Sequence, residues 1–292
     1  MEGLIKKDVI IHHSRDLDGW MSSAIGMRYL DKNLDNIGWD YGDPIPDVRG
    51  YDHVYMFDIS FSQEDIEDIL NNNDYLVLID HHKSAKYLEE LKDSYSNFTF
   101  IHDSNYAACE LVYNYFYPDK YIPVQVNFLG LYDSFRHINL EEKEHRNKVV
   151  FFQYACRAYF SNPDECEDLL VNYDVDDVDV LIESGEAIYT YLKKDAEITY
   201  RTKGSIVYYE GYKFIAFNRE RFNIKNFEID YGIDGFAGVI SYFYNKNRWS
   251  FSIYSEYIDV SKIAEQFGGG GHKGAAGFEL HNYNDFFEYC VM

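Results

Sequence analysis

Short apolar runs alternate with helical spacing through the first part of the chain. The run in DVIIH, 8 to 12, reads as a brief buried strand, and WMSSAIGMRYL, from Trp20, reads as a helix. VYMFD, 54 to 58, is a second strand. A helix opens after it, with Ser62 as N-cap, Asp65 three residues on, and Phe61 and Ile66 placed as a hydrophobic staple. Ile66, Ile69 and Leu70 continue that helical spacing. YLVLID, 75 to 80, and FTFIHD, 98 to 103, give third and fourth strands, followed by the helical stretches SAKYLEELKD and AACELVYNYF. Strands alternating with helices predict a doubly wound, mainly parallel α/β sheet with helices on both faces.

Residues 120 to 203 read as mostly helical, with GEAIYTYLKKDAEITYR as a connecting helix. Strands return in SIVYYE, YKFIAFN and RWSFSIYS, and a helical VSKIAEQF runs into the glycine-rich stretch QFGGGGHKGAAGF. The expected organisation is a first domain over 1–185, a connecting helix over 186–203 and a smaller α/β domain over 204–292. The acidic stretch VNYDVDDVDV needs no function. There is no internal repeat and no low-complexity tract.

Composition narrows the partners. The chain carries 27 Lys and Arg against 50 Asp and Glu, a formal charge of −23. That field repels a long nucleic acid, whose binding needs cations to displace counterions. A small anion can still be held by local positive groups or a bound metal. Cys109, Cys156, Cys166 and Cys290 lack paired spacing and read as free thiols of a reducing compartment. No apolar run approaches the ~18 residues of a membrane span, and the N-terminal MEGLIKKDVIIHHSRD turns charged too soon for a signal peptide. The expectation is a cytoplasmic protein, with a homodimer as a possible assembly.

Ligands of parallel sheets bind beyond the carboxyl ends of the strands. Strand one ends in His12-His13-Ser14-Arg15-Asp16-Leu17-Asp18-Gly19, strand two in Asp58, strand three in Asp80-His81-His82, and Asp133 follows a later apolar run. An Asp after one strand is ordinarily a turn or cap residue. Several at one sheet edge repel each other unless a cation compensates them. Oxygen and imidazole donors suit Mn, Mg, Fe or Zn, and the absence of thiolates argues against a structural zinc site.

At this point the residues resemble a family. Asp80-His81-His82 is the signature of the DHH phosphoesterases. His12-x-x-x-Asp16-x-Asp18-Gly resembles that family's first motif, Asp58 its second and Asp133 its fourth. GGGGHKGAAGF resembles the glycine-rich motif of the C-terminal DHH-associated domain. The branch it looks most like comprises nanoRNases (oligoribonucleases) and cyclic-dinucleotide phosphodiesterases.

The resemblance implies two divalent metals, Mn2+ first and Mg2+ second. His12 and Asp16 would hold one, Asp18 and His81 the other, Asp58 would bridge and Asp133 would complete the site. Asp80 would orient an imidazole, and His82 would protonate the leaving oxygen. The site would lie in the cleft between two α/β domains. The loop Gly269, Gly270, Gly271, His272 and Lys273 would hold a substrate phosphate. Family members often carry Ser-x-Arg-Ser before this loop, whereas here the stretch is Ser252-Ile253-Tyr254-Ser255. Tyrosine cannot replace a bidentate guanidinium, so Tyr254 is expected to stack or hydrogen-bond, with Arg219, Arg221 or Arg248 supplying charge. The implied activity is metal-dependent hydrolysis of short RNA or DNA oligonucleotides to mononucleotides. The alternatives are hydrolysis of a small nucleotide, either 3′-phosphoadenosine 5′-phosphate or a cyclic dinucleotide, or nucleotide binding without turnover.

Overall fold

The computed structural model describes residues 7–30, 34–220 and 222–288, with the side chain of His272 left aside. They divide into two compact units, Met1–Tyr189 and Thr190–Met292.

The first unit is built on a five-stranded sheet in the order β2-β1-β3-β4-β5, parallel throughout. The strands are β1 (Val9–His13), β2 (Asp35–Trp39), β3 (His53–Phe57), β4 (Tyr75–Asp80) and β5 (Phe98–His102). Alternation along the strands separates two cores. Ile10, Tyr55, Phe57, Val77 and Ile79 join residues of α1 (Leu17–Tyr29), α3 (Ala108–Phe116) and α4 (Val124–Asp133). Val9, Ile11, Val54, Met56, Leu76 and Leu78 join α2 (Gln63–Asn72). Burial on both faces explains why the central strands read as unbroken apolar runs. Each such side chain removed from water is worth ~1.5–3 kcal/mol.

Two elements differ from the sequence expectation. β2 escapes it, because this edge strand buries fully only Trp39 of its five residues. The SAKYLEELKD segment is not an α-helix but a 3-10 stretch, Lys83–Leu91. Its buried residues Ala85, Leu88 and Leu91 recur every three positions, the spacing that a three-residue turn keeps on one face.

Helix α5 (Val175–Lys203) runs through the boundary between the units. The acidic stretch at its start has a structural reason. Asp174 Oδ1 accepts from the backbone N–H of Asp176 and Asp177, and both of those acids lie in the first turn, where the helix dipole favours negative charge.

The second unit has a six-stranded sheet in the order β10-β11-β9-β8-β7-β6. Its strands are β6 (Ser205–Tyr209), β7 (Tyr212–Asn218), β8 (Gly238–Asn245), β9 (Arg248–Tyr254), β10 (Gly270–His272) and β11 (Ala275–Leu280). All neighbours are antiparallel except β7 and β8. A short helix, α6 (Ser261–Gln266), leads into β10. Cys109, Cys156 and Cys166 are buried free thiols, and Cys290 lies outside the described residues. Among the described residues no helix is long and apolar enough to cross a membrane.

Candidate metal centre

The carboxyl ends of β1, β3 and β4 converge as the doubly wound topology requires. Asp16 caps α1, its Oδ1 accepting from Gly19 N at 3.0 Å. Asp18, in the first turn of α1, is buried, and its two oxygens accept from the backbone N–H of Ala108 and Cys109 at the start of α3, at 2.9 and 2.7 Å. Asp58 follows β3 with φ 61°, a left-handed conformation that Asp tolerates better than most residues. Such an outlier at a buried carboxylate points to function. Asp133 is the last residue of α4.

These side chains form three overlapping groups able to hold a metal ion: His13, Asp16 and Asp58; Asp18, His81 and Asp133; and Asp58, His81 and His82. His13 Nδ1 lies 2.9 Å from Asp16 Oδ2 and 3.3 Å from Asp58 Oδ2. His81 Nε2 lies 3.4 Å from Asp58 Oδ1, 3.3 Å from Asp133 Oδ2 and 3.7 Å from Asp18 Oδ2. Asp58 therefore turns one oxygen towards each imidazole. Asp80, fully buried, does not join the groups. Its Oδ1 instead accepts from His82 N at 3.0 Å and lies 2.8 Å from His82 Nδ1. His102 Nε2 donates to the carbonyl of His82 at 2.9 Å, so this otherwise unassigned histidine steadies the Asp80-His81-His82 turn.

The electrostatics are those of a site needing a cation. Burial first, and then the Asp58 charge, raise the pKa of Asp18; burial and Asp16 raise that of Asp58. Burial and the Asp18 charge push Asp133 up to about 7. Burial opposes charging His13 and His81, yet their carboxylate neighbours outweigh it and raise them to about 11 and about 10. In the absence of metal, the imidazoliums serve as counter-ions. Asp58 Oδ1 and His13 Nδ1 are buried without a well-formed hydrogen bond. Orphaned donor atoms among carboxylates and imidazoles fit a hard or borderline divalent ion.

Of the residues expected from sequence, Asp16, Asp18, Asp58, His81, His82 and Asp133 are brought together, and His12 is not. His12 is buried beside Asn36 on the opposite face of β1, where burial drops its pKa to about 4. His13 stands in the cluster instead. The sequence pattern also passes over Asp40, just beyond β2, whose Oδ1 lies 3.5 Å from His13 Nε2 and whose Oδ2 accepts from Arg15 Nε at 2.5 Å. It passes over the buried Glu110 too, which accepts from Ala107 N at 3.1 Å and from Arg136. A Gln or Glu three residues into a helix is a capping signal that the sequence contains.

In the second unit, the fold accounts for much of the glycine run. Gly268 and Gly269 donate their N–H to the end of α6, at Glu265 O and Ala264 O. Gly268 has φ 76° and Gly271 φ 139°, and a Cβ on Gly269 would stand 2.1 Å from Gly277 O. Gly270 has no positive φ, and a Cβ there would meet nothing within 4 Å. Lys273 is exposed in the turn between β10 and β11. Tyr254 is half-buried on β9 against the cluster containing Ile215 and Phe217. Arg219 donates to Asp195 at 2.6 Å and stacks on Phe222. Arg248 opens β9 and is exposed; Arg221 and the His272 side chain lie outside what is described.

A parallel sheet presenting carboxylates and imidazoles from three strand ends defines an α/β protein with a cluster able to hold metal ions. Residues 8–132 match the DHH family, N-terminal domain, and this region of the chain is a domain of that family. A curated protein, R106 of Acanthamoeba polyphaga mimivirus, is 24% identical over 294 residues, covering 92% of this chain. The chain spans 66% of that relative's length. Among solved structures, RecJ from Thermus thermophilus in complex with Mn2+ superposes with TM-score 0.54 at 13% identity, covering 97% of this chain and 50% of that one. An exonuclease RecJ bound to manganese superposes with TM-score 0.50 at 13% identity, covering 94% of this chain and 86% of that one. These two likenesses are likenesses of fold.

Proposed function

We propose that the chain is a metal-dependent phosphodiesterase that hydrolyses short oligonucleotides to mononucleotides. The observation that carries the metal chemistry is Asp58, buried in a left-handed turn with one oxygen towards His13 and the other towards His81. In this reading His13 and Asp16 hold one ion, Asp18, His81 and Asp133 the other, and Asp58 both. Two divalent ions, Mn2+ first, would supply Lewis-acid stabilisation of phosphoryl charge and an acidified water.

The chain's own residues do the rest. Asp18 is fixed by two backbone donors, so its oxygens need no reorganisation when a substrate arrives. Asp80 orients His82 and, with Asp58, raises its pKa against the opposing effect of burial. A protonated His82 can then donate to the leaving oxygen of an in-line displacement. Residues 204–292 act as the DHH-associated substrate domain. Gly270 supports that role, because neither backbone conformation nor packing requires glycine there. Glycine lets a phosphate approach the backbone closely. The net charge of −23 favours short oligomers over polymers.

The test is product analysis of 5′-labelled RNAs of two to five nucleotides with Mn2+, beside an EDTA control and a long RNA. Metal-dependent release of mononucleotides from the short RNAs, with slow attack on the long one, is expected. If none of the short RNAs is cut, the oligonucleotide assignment is wrong.

A further inference from the structure

The rim of the metal centre at the end of β2 carries three side chains that the chemistry above does not use. Arg15 lies between His13 and Asp16 in the chain. Its Nε is tied to Asp40 Oδ2 at 2.5 Å, and Asp40 Oδ1 faces His13 Nε2 at 3.5 Å. The guanidinium is thus anchored by one edge beside a candidate metal ligand. Its side chain is 51% exposed, and no described residue partners the two Nη nitrogens. A guanidinium fixed in this way presents a planar fork suited to a phosphate.

Tyr41 follows Asp40. Its residue is 56% exposed, yet its position is set by a tight turn. Asp43 N donates to Asp40 O at 2.9 Å, Asp40 N donates to Asp43 Oδ2 at 3.0 Å, and Gly42 has φ 99°, the positive value a type II turn requires at its third position. Trp39 Nε1 donates to the carbonyls of Asp43 and Pro44, both at 3.2 Å. The Tyr41 ring rests edge-on against Trp39 at 5.3 Å and against His13 at 6.2 Å. A large, half-exposed aromatic side chain on a rigid turn, beside an imidazole of the candidate metal cluster, is a surface on which a planar base can rest.

We propose that Arg15 and Tyr41 form a nucleoside-phosphate subsite on the rim of the metal centre. Arg15 takes a phosphate oxygen through its Nη groups, and Tyr41 stacks on the base attached to that phosphate. The subsite selects a nucleotide with an unpaired base, because a base inside a duplex has no free face to offer. This deepens the phosphodiesterase reading and rests on it for the placement of the scissile phosphate.

Binding, measured without turnover, separates the two claims. AMP and ribose 5-phosphate are titrated calorimetrically into the intact chain with Ca2+ present, for the wild type and for Arg15→Ala, Tyr41→Ala and Tyr41→Phe. Wild type is expected to prefer AMP by about 10-fold, ~1.4 kcal/mol. Tyr41→Ala should erase that preference and Tyr41→Phe should keep it. Arg15→Ala should weaken both ligands by a similar factor. Equal affinity of the wild type for the two ligands, no binding of either, or an unchanged preference in Tyr41→Ala overturns the subsite. A wild type that shows the preference but leaves the dinucleotide pApA uncut keeps the subsite and refutes the diesterase reading.

Discussion

His81 Nε2 lies 3.4 Å from Asp58 Oδ1, and the second oxygen of the same carboxylate lies 3.3 Å from His13 Nδ1. The left-handed backbone of Asp58 makes this possible, because it turns the residue back across the strand ends instead of continuing β3. One buried anion thereby links two groups of donors.

Replacing Asp58 with Asn should separate its charge from its shape. Asn also accepts the left-handed conformation. Mn2+ affinity is expected to fall at least about 10-fold, ~1.4 kcal/mol, and diesterase activity to fall with it. The chelator-treated variant should melt no lower than wild type, since burial already penalises the Asp58 charge. Calorimetry with Mn2+ and thermal melts in EDTA measure both effects.

The two histidines of β1 make a sharper comparison. His13→Gln should weaken Mn2+ binding by roughly 10-fold or more, the cost usual for disturbing a metal site. His12→Gln should leave Mn2+ affinity within about 2-fold and act on stability, because His12 is buried and belongs to none of the three donor groups. The opposite ranking would restore the ligand set suggested by motif spacing alone.

Proton linkage gives a pH signature. Asp133, and with it Asp18 and Asp58, is raised on folding, so each costs stability as pH rises above ~4, the unfolded value. His13 and His81 are raised to about 11 and about 10, so their contribution is complete below ~6.5 and fades as pH climbs through those values. Both act in one direction: the metal-free protein should lose melting temperature between about pH 5 and pH 10. Saturating Mn2+ should flatten or reverse that slope near neutrality, because metal takes the deprotonated ligands. Melting scans across this range, with EDTA or with Mn2+, decide the matter.

Gly130 tests the support behind the site. A Cβ there would stand 2.3 Å from the Glu110 carboxyl carbon. Gly130→Ala should displace the carboxylate that caps Ala107 and pairs with Arg136, destabilising the fold by ~1–3 kcal/mol. Denaturant titration would show the loss as a lower midpoint at unchanged slope.

How much of this is legible in the sequence depends on the kind of signal. The central strands β1, β3 and β4 are apolar on both faces, so their runs stand out from the helices between them. Asp58 and Asp80-His81-His82 then stand out as the polar residues at which those runs stop. β2 is hidden because an edge strand buries little, and with it go Asp40 and Tyr41, which shape the rim of the centre. The capping partnership of Glu110 is visible in principle, but its bond to Arg136 spans 26 residues and needs the fold.

By itself, then, the sequence determined the α/β alternation, the acidic exterior and the set of Asp and His residues at strand ends, since these derive from local periodicity and residue chemistry. Only the tertiary structure places His13, and not His12, within reach of Asp16 and Asp58. Successive side chains of a strand point to opposite faces, so a shift of one residue exchanges a buried position beside Asn36 for a place among the carboxylates. Motif spacing counts residues along the chain, whereas nearness to Asp16 and Asp58 depends on which face of β1 meets them, and only the packed sheet shows that.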